Sequence, residues 1–132
     1  MSTTQGCLGE AIFITECIKR NIQVNQPIND IYGYDFIIKS KLNYLAIQVK
    51  TTLKPDMRYP GKPSYKIHVR KGANCEAYKR SDFDCLAAYL ISLDIWYIIP
   101  IEEINKTTIR INPNSSKCKY AQYKENWSML EG

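Results

Sequence analysis

The stretch Tyr44-Leu45-Ala46-Ile47-Gln48-Val49-Lys50-Thr51 decides the fold. It is rich in apolar and β-branched residues and free of Gly and Pro, which reads as a strand. Just upstream, Tyr34-Asp35-Phe36-Ile37-Ile38-Lys39 reads the same way, with only Ser40-Lys41-Leu42-Asn43 between the two. Strands joined so tightly pair antiparallel. Side chains alternate across a strand, so Gln48 and Lys50 share one face while Ile47 and Val49 share the other. The pairing brings Asp35 beside the 48–50 end.

Elements on either side supply layers for this hairpin. Residues 6–20 read as a helix, with Cys7, Ala11, Ile14 and Ile18 as its apolar stripe and Glu16, Lys19 and Arg20 as its polar face. At about 100° per residue Glu10 falls between Cys17 and Ile14. A carboxylate on an apolar flank needs a partner, because unpaired buried charge is costly. Gly6 and Gly9 weaken the first turn but allow another part of the chain to approach closely. Residues 21–27 read as a short strand closed by Pro27, and 29–33 as a turn. Pro55, Pro60, Gly61 and Pro63 make 53–64 a loop. Residues 65–70 alternate as a half-buried strand, and 71–80 form a second polar loop. The apolar runs 85–91 and 95–100 read as buried strands. Residues 102–104 read as one helical turn and 107–111 as a further strand. Residues 119–131 are expected to form a closing helix, with Tyr120, Tyr123, Trp127 and Leu130 at spacings of three and four. Trp96 and Trp127 are expected in the core.

With 45% hydrophobic and 23% charged residues, the chain has the balance of a globular domain rather than a disordered or coiled-coil one. Its 132 residues predict a single domain over 1–132. No apolar run reaches the roughly 18 residues of a membrane span, and the first residues lack the basic start and apolar core of a signal peptide. An intracellular, cytoplasmic protein with no membrane partner is expected. The five cysteines (Cys7, Cys17, Cys75, Cys85 and Cys118) show no CxxC or Cys/His spacing, and read as free thiols of a reducing compartment. The formal charge is +5, and nine of the eighteen bases lie in residues 50–80 against Asp56 and Glu76 alone. Tyr59, Tyr65 and Tyr78 are interleaved there. A basic, aromatic-studded segment suits a phosphate-bearing polymer, and it equally serves as a solvated face.

Two carboxylates, an amide oxygen and an ammonium are the set that carries chemistry. Asp35, Gln48 and Lys50 are expected on one sheet face, with Glu10 reaching in from the covering helix. Hard divalent cations take oxygen ligands, and magnesium binds through one or two carboxylates, completing its shell with water and substrate phosphate. A lysine beside them could orient or help deprotonate an attacking water, or offset charge on the transition state. The chemistry implied is metal-assisted phosphodiester hydrolysis.

This order of residues resembles the PD-(D/E)XK nuclease superfamily, which has a Glu on its first helix, an Asp opening a strand, and (D/E)XK in the next. The matching residues are Glu10, Asp35 and Gln48-Val49-Lys50. Tyr-Asp-Phe-Ile-Ile, Ala-Ile-Gln-Val-Lys-Thr-Thr, Asp82-Phe83-Asp84 and Ile95-Trp96-Tyr97-Ile98-Ile99-Pro100 extend the likeness over most of the chain. It is most similar to the small branch that includes a group I intron homing endonuclease, and more distantly to archaeal-type Holliday junction resolvases. Gln48 stands where the motif has an acid, a trait of the homing branch, and Tyr34 stands where it has proline.

The resemblance implies an α/β (α+β) fold of restriction-endonuclease type, a mixed central sheet flanked by helices. It implies a metal-dependent DNA endonuclease with magnesium, or manganese in its place, held by Asp35, Gln48, the Val49 carbonyl and Glu10. Lys50 would act on the nucleophilic water. Lys54, Arg58, Lys62, Lys66, Arg70, Lys71, Lys79 and Arg80 would track the phosphates of double-stranded DNA. One site per chain implies a homo-oligomer, a dimer or tetramer, if both strands are cut. The competing functions are a junction-specific nuclease on the same fold and a non-catalytic DNA-binding module, which Gln48 keeps open. Each residue also has a structural reading. Asp35 could cap a turn, Glu10 could pair with Arg20 or Lys50, and Lys50 could be a solvated strand lysine. His68 reads as solvated or phosphate-contacting rather than as a general base, and Asp82 and Asp84 as strand-edge or pairing residues.

Overall fold

The computed structural model describes residues 3–29, 33–58, 63–71, 76–79 and 81–131. Residues 30–32 of the expected turn, 59–62 of the expected loop, and Cys75 lie outside the described residues. Helix α1 (Thr4–Lys19) opens the chain, capped by Thr3, whose hydroxyl accepts the Gly6 N–H at 3.0 Å. Strands β1 (Gln23–Asn25), β2 (Phe36–Lys39), β3 (Tyr44–Thr52), β4 (Tyr65–His68), β5 (Arg70–Lys71), β6 (Glu76–Ala77), β7 (Cys85–Leu90), β8 (Ile95–Pro100) and β9 (Thr108–Ile111) follow. Helix α2 (Ser128–Glu131) closes the chain.

Five strands form one mixed sheet in the order β1-β2-β3-β7-β8. β3 sits at its centre, antiparallel to β2 with Phe36 opposite Ile47, and parallel to β7 with Gln48 beside Leu86. The β2–β3 turn is closed by the Ser40 side chain, whose hydroxyl accepts the Asn43 N–H at 3.1 Å. β4 and β9 form a separate antiparallel pair, as do β5 and β6. The mixed sheet is the one the family resemblance implies, and the first helix covers the span expected at 6–20 with its start two residues earlier and its end one residue earlier.

Every residue of β7 is buried, because the sheet is covered on both sides. On one side α1 packs with Phe13 against Phe36, Ile47, Val49, Trp96 and Trp127. On the other, the β4–β9 pair lays Tyr65, Ile67, Ile109 and Ile111 over Leu86, Ala88 and Ile99. Alternation dictates the small sheet: its inward residues are apolar, and Lys66, His68 and Arg110 point outward.

The buried stripe of α1 differs from the expected one. Gly9, Phe13 and Cys17 are buried, whereas Cys7 and Ala11 are exposed and Ile18 is 67% exposed. Phe13 sets the rotation. Its ring lies 5.2 Å from Phe36, 5.6 Å from Trp96 and 5.8 Å from Trp127, a contact area no aliphatic stripe on this helix matches.

Residues 119–131 are not one helix. A 3-10 turn (Ala121–Tyr123) and α2 flank an extended step in which Lys124 bridges to Tyr97, with Glu125 at φ 50°. The edge of β8 takes the place of the helix. Glu125 N–H donates to Trp96 O at 2.7 Å, while its carboxylate accepts Trp96 N–H at 2.7 Å and Trp127 Nε1 at 2.8 Å. An otherwise bare sheet edge gains its partners this way. Of the side chains the periodicity picks out, Tyr120, Trp127 and Leu130 are buried and Tyr123 is half-buried. No disulfide joins Cys7, Cys17, Cys85 or Cys118, and burial pushes the Cys17 thiol up to about 12. Among the described residues no helix is long and apolar enough to cross a membrane.

Candidate active site

A cleft of about 620 Å³ opens where β2, β3, β4 and the first turn of α1 meet, and Glu10, Asp35, Gln48 and Lys50 all line it. Each arrives by a separate local cause. Asp35 immediately precedes β2, where its backbone N–H donates to Ile47 O at 2.8 Å and its Oδ2 accepts the Val49 N–H at 2.7 Å. One carboxylate oxygen is thereby fixed against the strand that carries Gln48 and Lys50. Gln48 is the one buried polar residue among those described, 8% exposed, and its Nε2 lies 3.4 Å from Val49 O.

Lys50 is half-buried at the other end of that face. Burial lowers its pKa from the ordinary lysine value, and the Asp35 carboxylate opposes the shift. Its ammonium stands 5.8 Å from the Tyr78 ring centroid, within range of a cation–π contact. The Tyr78 hydroxyl is pushed up by burial and then by Asp35 and Asp82. Tyr78 is a neighbour that sequence reasoning counted only as an interleaved aromatic. Its ring packs against Phe83 at 4.9 Å, a contact no sequence pattern marked.

Glu10 enters from the opposite side of the sheet. α1 covers the Val49 and Thr51 face, not the Gln48 and Lys50 face, and a Cβ at Gly9 would overlap the Thr51 methyl. Glycine is what lets the helix sit this low, and the next residue, Glu10, then reaches the cleft. Gln5 Nε2 donates to Thr51 Oγ1 at 2.9 Å and ties the same turn to β3. Arg20, a suggested partner of Glu10, pairs with Glu16 at 3.4 Å and Glu125 at 3.8 Å.

The remaining acids nearby are committed to backbone. Asp84 Oδ2 accepts the Ala46 N–H at 2.8 Å, and Asp82 Oδ2 accepts the Lys79 N–H at 2.7 Å. Among the described residues no three His, Cys, Asp or Glu side chains gather as a metal-binding group. The oxygen donors are two carboxylates, one amide and a main-chain carbonyl. That set suits a hard divalent ion that keeps part of its water shell, so a site for such an ion fits the residues present.

Of the expected DNA contacts, Lys66 lines the cleft, beside His68, whose Nδ1 lies 3.3 Å from Thr108 Oγ1. Lys54, Arg58 and Lys79 are exposed and do not line it. Asp56 holds Arg58 at 3.9 Å. Arg70 and Lys71 lie in β5, and Lys62 and Arg80 fall outside the described residues.

The chain belongs to the PD-(D/E)XK endonuclease family, whose model matches residues 1–130. Members of this family generally use divalent metal ions. Among solved structures, a bacterial homing endonuclease, I-Ssp6803I, shares the fold with a TM-score of 0.81 at 21% identity, over 98% of this chain and 94% of the other. No curated protein sequence matches this chain significantly.

Proposed function

We propose that residues 1–132 form a single nuclease domain that hydrolyses phosphodiester bonds of double-stranded DNA in a magnesium-dependent, homing-endonuclease-like manner, as a homo-oligomer in the cytoplasm. The observation that carries this reading is the convergence of Glu10, Asp35, Gln48 and Lys50 on one cleft. Asp35, Gln48, the Val49 carbonyl and Glu10 would hold magnesium, or manganese in its place. When bound, the ion supplies Lewis-acid polarisation of a phosphate oxygen and activation of water.

The chain's own groups do the rest. Asp35 is fixed by the Val49 N–H, so its second oxygen is aimed without further ordering cost. Lys50 donates hydrogen bonds to the attacking water and offsets charge that grows on the phosphoryl oxygens. Its half-buried position strengthens that interaction, since water screens it less. The first turn of α1 brings the positive end of a helix dipole to the cleft, which Thr3, Gln5 and Gly6 line. Lys66 and His68 face the cleft from β4, where a scissile phosphate's neighbours would pass.

The test is cleavage of supercoiled plasmid with magnesium by the wild type, Lys50→Ala and Asp35→Ala. Activity in the wild type alone, abolished by a chelator, is expected. Equal activity in all three removes the assignment, and salt-sensitive binding without cleavage under any divalent ion leaves a DNA-binding module instead.

A further inference from the structure

A second groove begins at Lys66, where the cleft ends. It measures about 500 Å³ and is lined by Lys66, Lys106, Arg110 and Lys119, with Asn105 and Thr108 as hydrogen-bonding neighbours. None of the residues lining it is Asp or Glu. Three of its four cations, Lys106, Arg110 and Lys119, come from residues 104–124, which hold five bases and no acid. The fold sets this second basic run beside Lys66 of the first.

The collection works against stability. Lys66 stands directly opposite Arg110 across the β4–β9 pair. Like charges at opposed positions on one sheet face repel. Asp56 offsets part of this, with its Oδ2 3.1 Å from Arg110 Nη1. Lys106 and Lys119 are exposed, and Lys119 is held 5.4 Å from the Tyr120 ring centroid. Repulsion of this kind is relieved when a polyanion lies along the groove.

We propose that this groove is a second phosphate-binding track continuous with the cleft: the backbone of the bound DNA passes from the cleft across Lys66 to Lys106, Arg110 and Lys119. It rests on the DNA-cleaving reading above. β4 and β9 then serve both walls, since His68 and Thr108 face each other at the cleft end of the same pair.

Each neutralised phosphate contributes about −0.9 to the slope of log K against log salt. The experiment titrates salt against binding of a labelled duplex to the full chain, with chelator present to prevent cutting. Lys106→Gln/Lys119→Gln should lower the magnitude of the slope by about 2 and weaken binding roughly tenfold near 0.15 M salt. Arginine at both positions should keep the wild-type slope. Lys19→Gln/Lys41→Gln, which removes two charges elsewhere, should leave the slope in place. A wild-type slope in the groove double variant, a slope that arginine fails to keep, or an equal loss in the control double variant overturns the track. If the wild type binds and cleaves while the groove variant keeps its slope, the track alone fails. If the wild type neither binds nor cleaves DNA, the track and the nuclease reading fall together.

Discussion

The two faces of β3 are one residue apart in sequence and opposite in physics. Ile47 and Val49 face α1 and an aromatic cluster of Phe13, Phe36, Trp96 and Trp127. Gln48 and Lys50 face the cleft, where an amide is buried and an ammonium is partly desolvated. One face gains stability by burial. The other holds polar groups that burial disfavours, which is the usual mark of a site kept for chemistry. The strand can carry both because β7, its parallel neighbour, is covered on both sides and anchors it.

The largest effect is expected on the apolar face. Phe13→Ala removes the ring that contacts three others and should cost about 3–5 kcal/mol, seen as a shift of the denaturant midpoint. A loss below about 1 kcal/mol would mean the helix does not seal the sheet. Next comes the polar face. Lys50→Met should reduce cleavage by about 10²–10³ while the melting temperature holds or rises, because the variant no longer desolvates a charge. A variant that loses stability along with activity would make Lys50 a structural lysine and erase the contrast between the faces.

Gly9 joins the two faces, and its substitution should have an intermediate effect. In Gly9→Ala the new methyl meets the Thr51 side chain, so α1 must lift from β3 at a cost of about 1–3 kcal/mol, and Glu10 moves with it. Cleavage should fall further than stability alone accounts for. Adding Thr51→Ser removes the opposing methyl, keeps the hydroxyl that accepts from Gln5, and should restore both. No rescue in the double variant would separate Glu10's position from this contact.

Much of this was legible in the sequence, for identifiable reasons. The β2–β3 hairpin was readable because a four-residue turn fixes register, and register fixes which face Gln48 and Lys50 share. The buried strands β7 and β8 were readable as uninterrupted apolar runs. The rotation of α1 was not, since the decisive contact is between Phe13 and three distant rings. The closing segment failed as a helix for a similar reason: the bare edge of β8, far away in sequence, offered its backbone better partners through Lys124 and Glu125. At the candidate site, the ligand-type residues were legible from order alone. Tyr78 beside Lys50, and Lys66 shared between two grooves, were not, because no local pattern encodes which loop residue a fold sets next to a lysine.

The smallest effect is expected where surface charge adds to the apolar packing of the cleft-side layer. Asp56 ties the segment after β3 to β9. The half-buried carboxyl is held below the usual carboxylate range by the Arg58 N–H, then by Arg110. A carboxyl whose pKa is lower in the folded state than in the unfolded one adds stability at pH values above its unfolded value. That contribution is lost as pH falls through the folded value. Wild type and Asp56→Asn should therefore differ in melting temperature at neutral pH and converge as pH drops below about 4. The difference between the two curves isolates this carboxyl from the others that titrate in the same range. Parallel curves from neutral pH down to about 3 would show that the β4–β9 cover is held by Tyr65, Ile67, Ile109 and Ile111 alone, and that both faces of β3 depend on apolar packing for their walls.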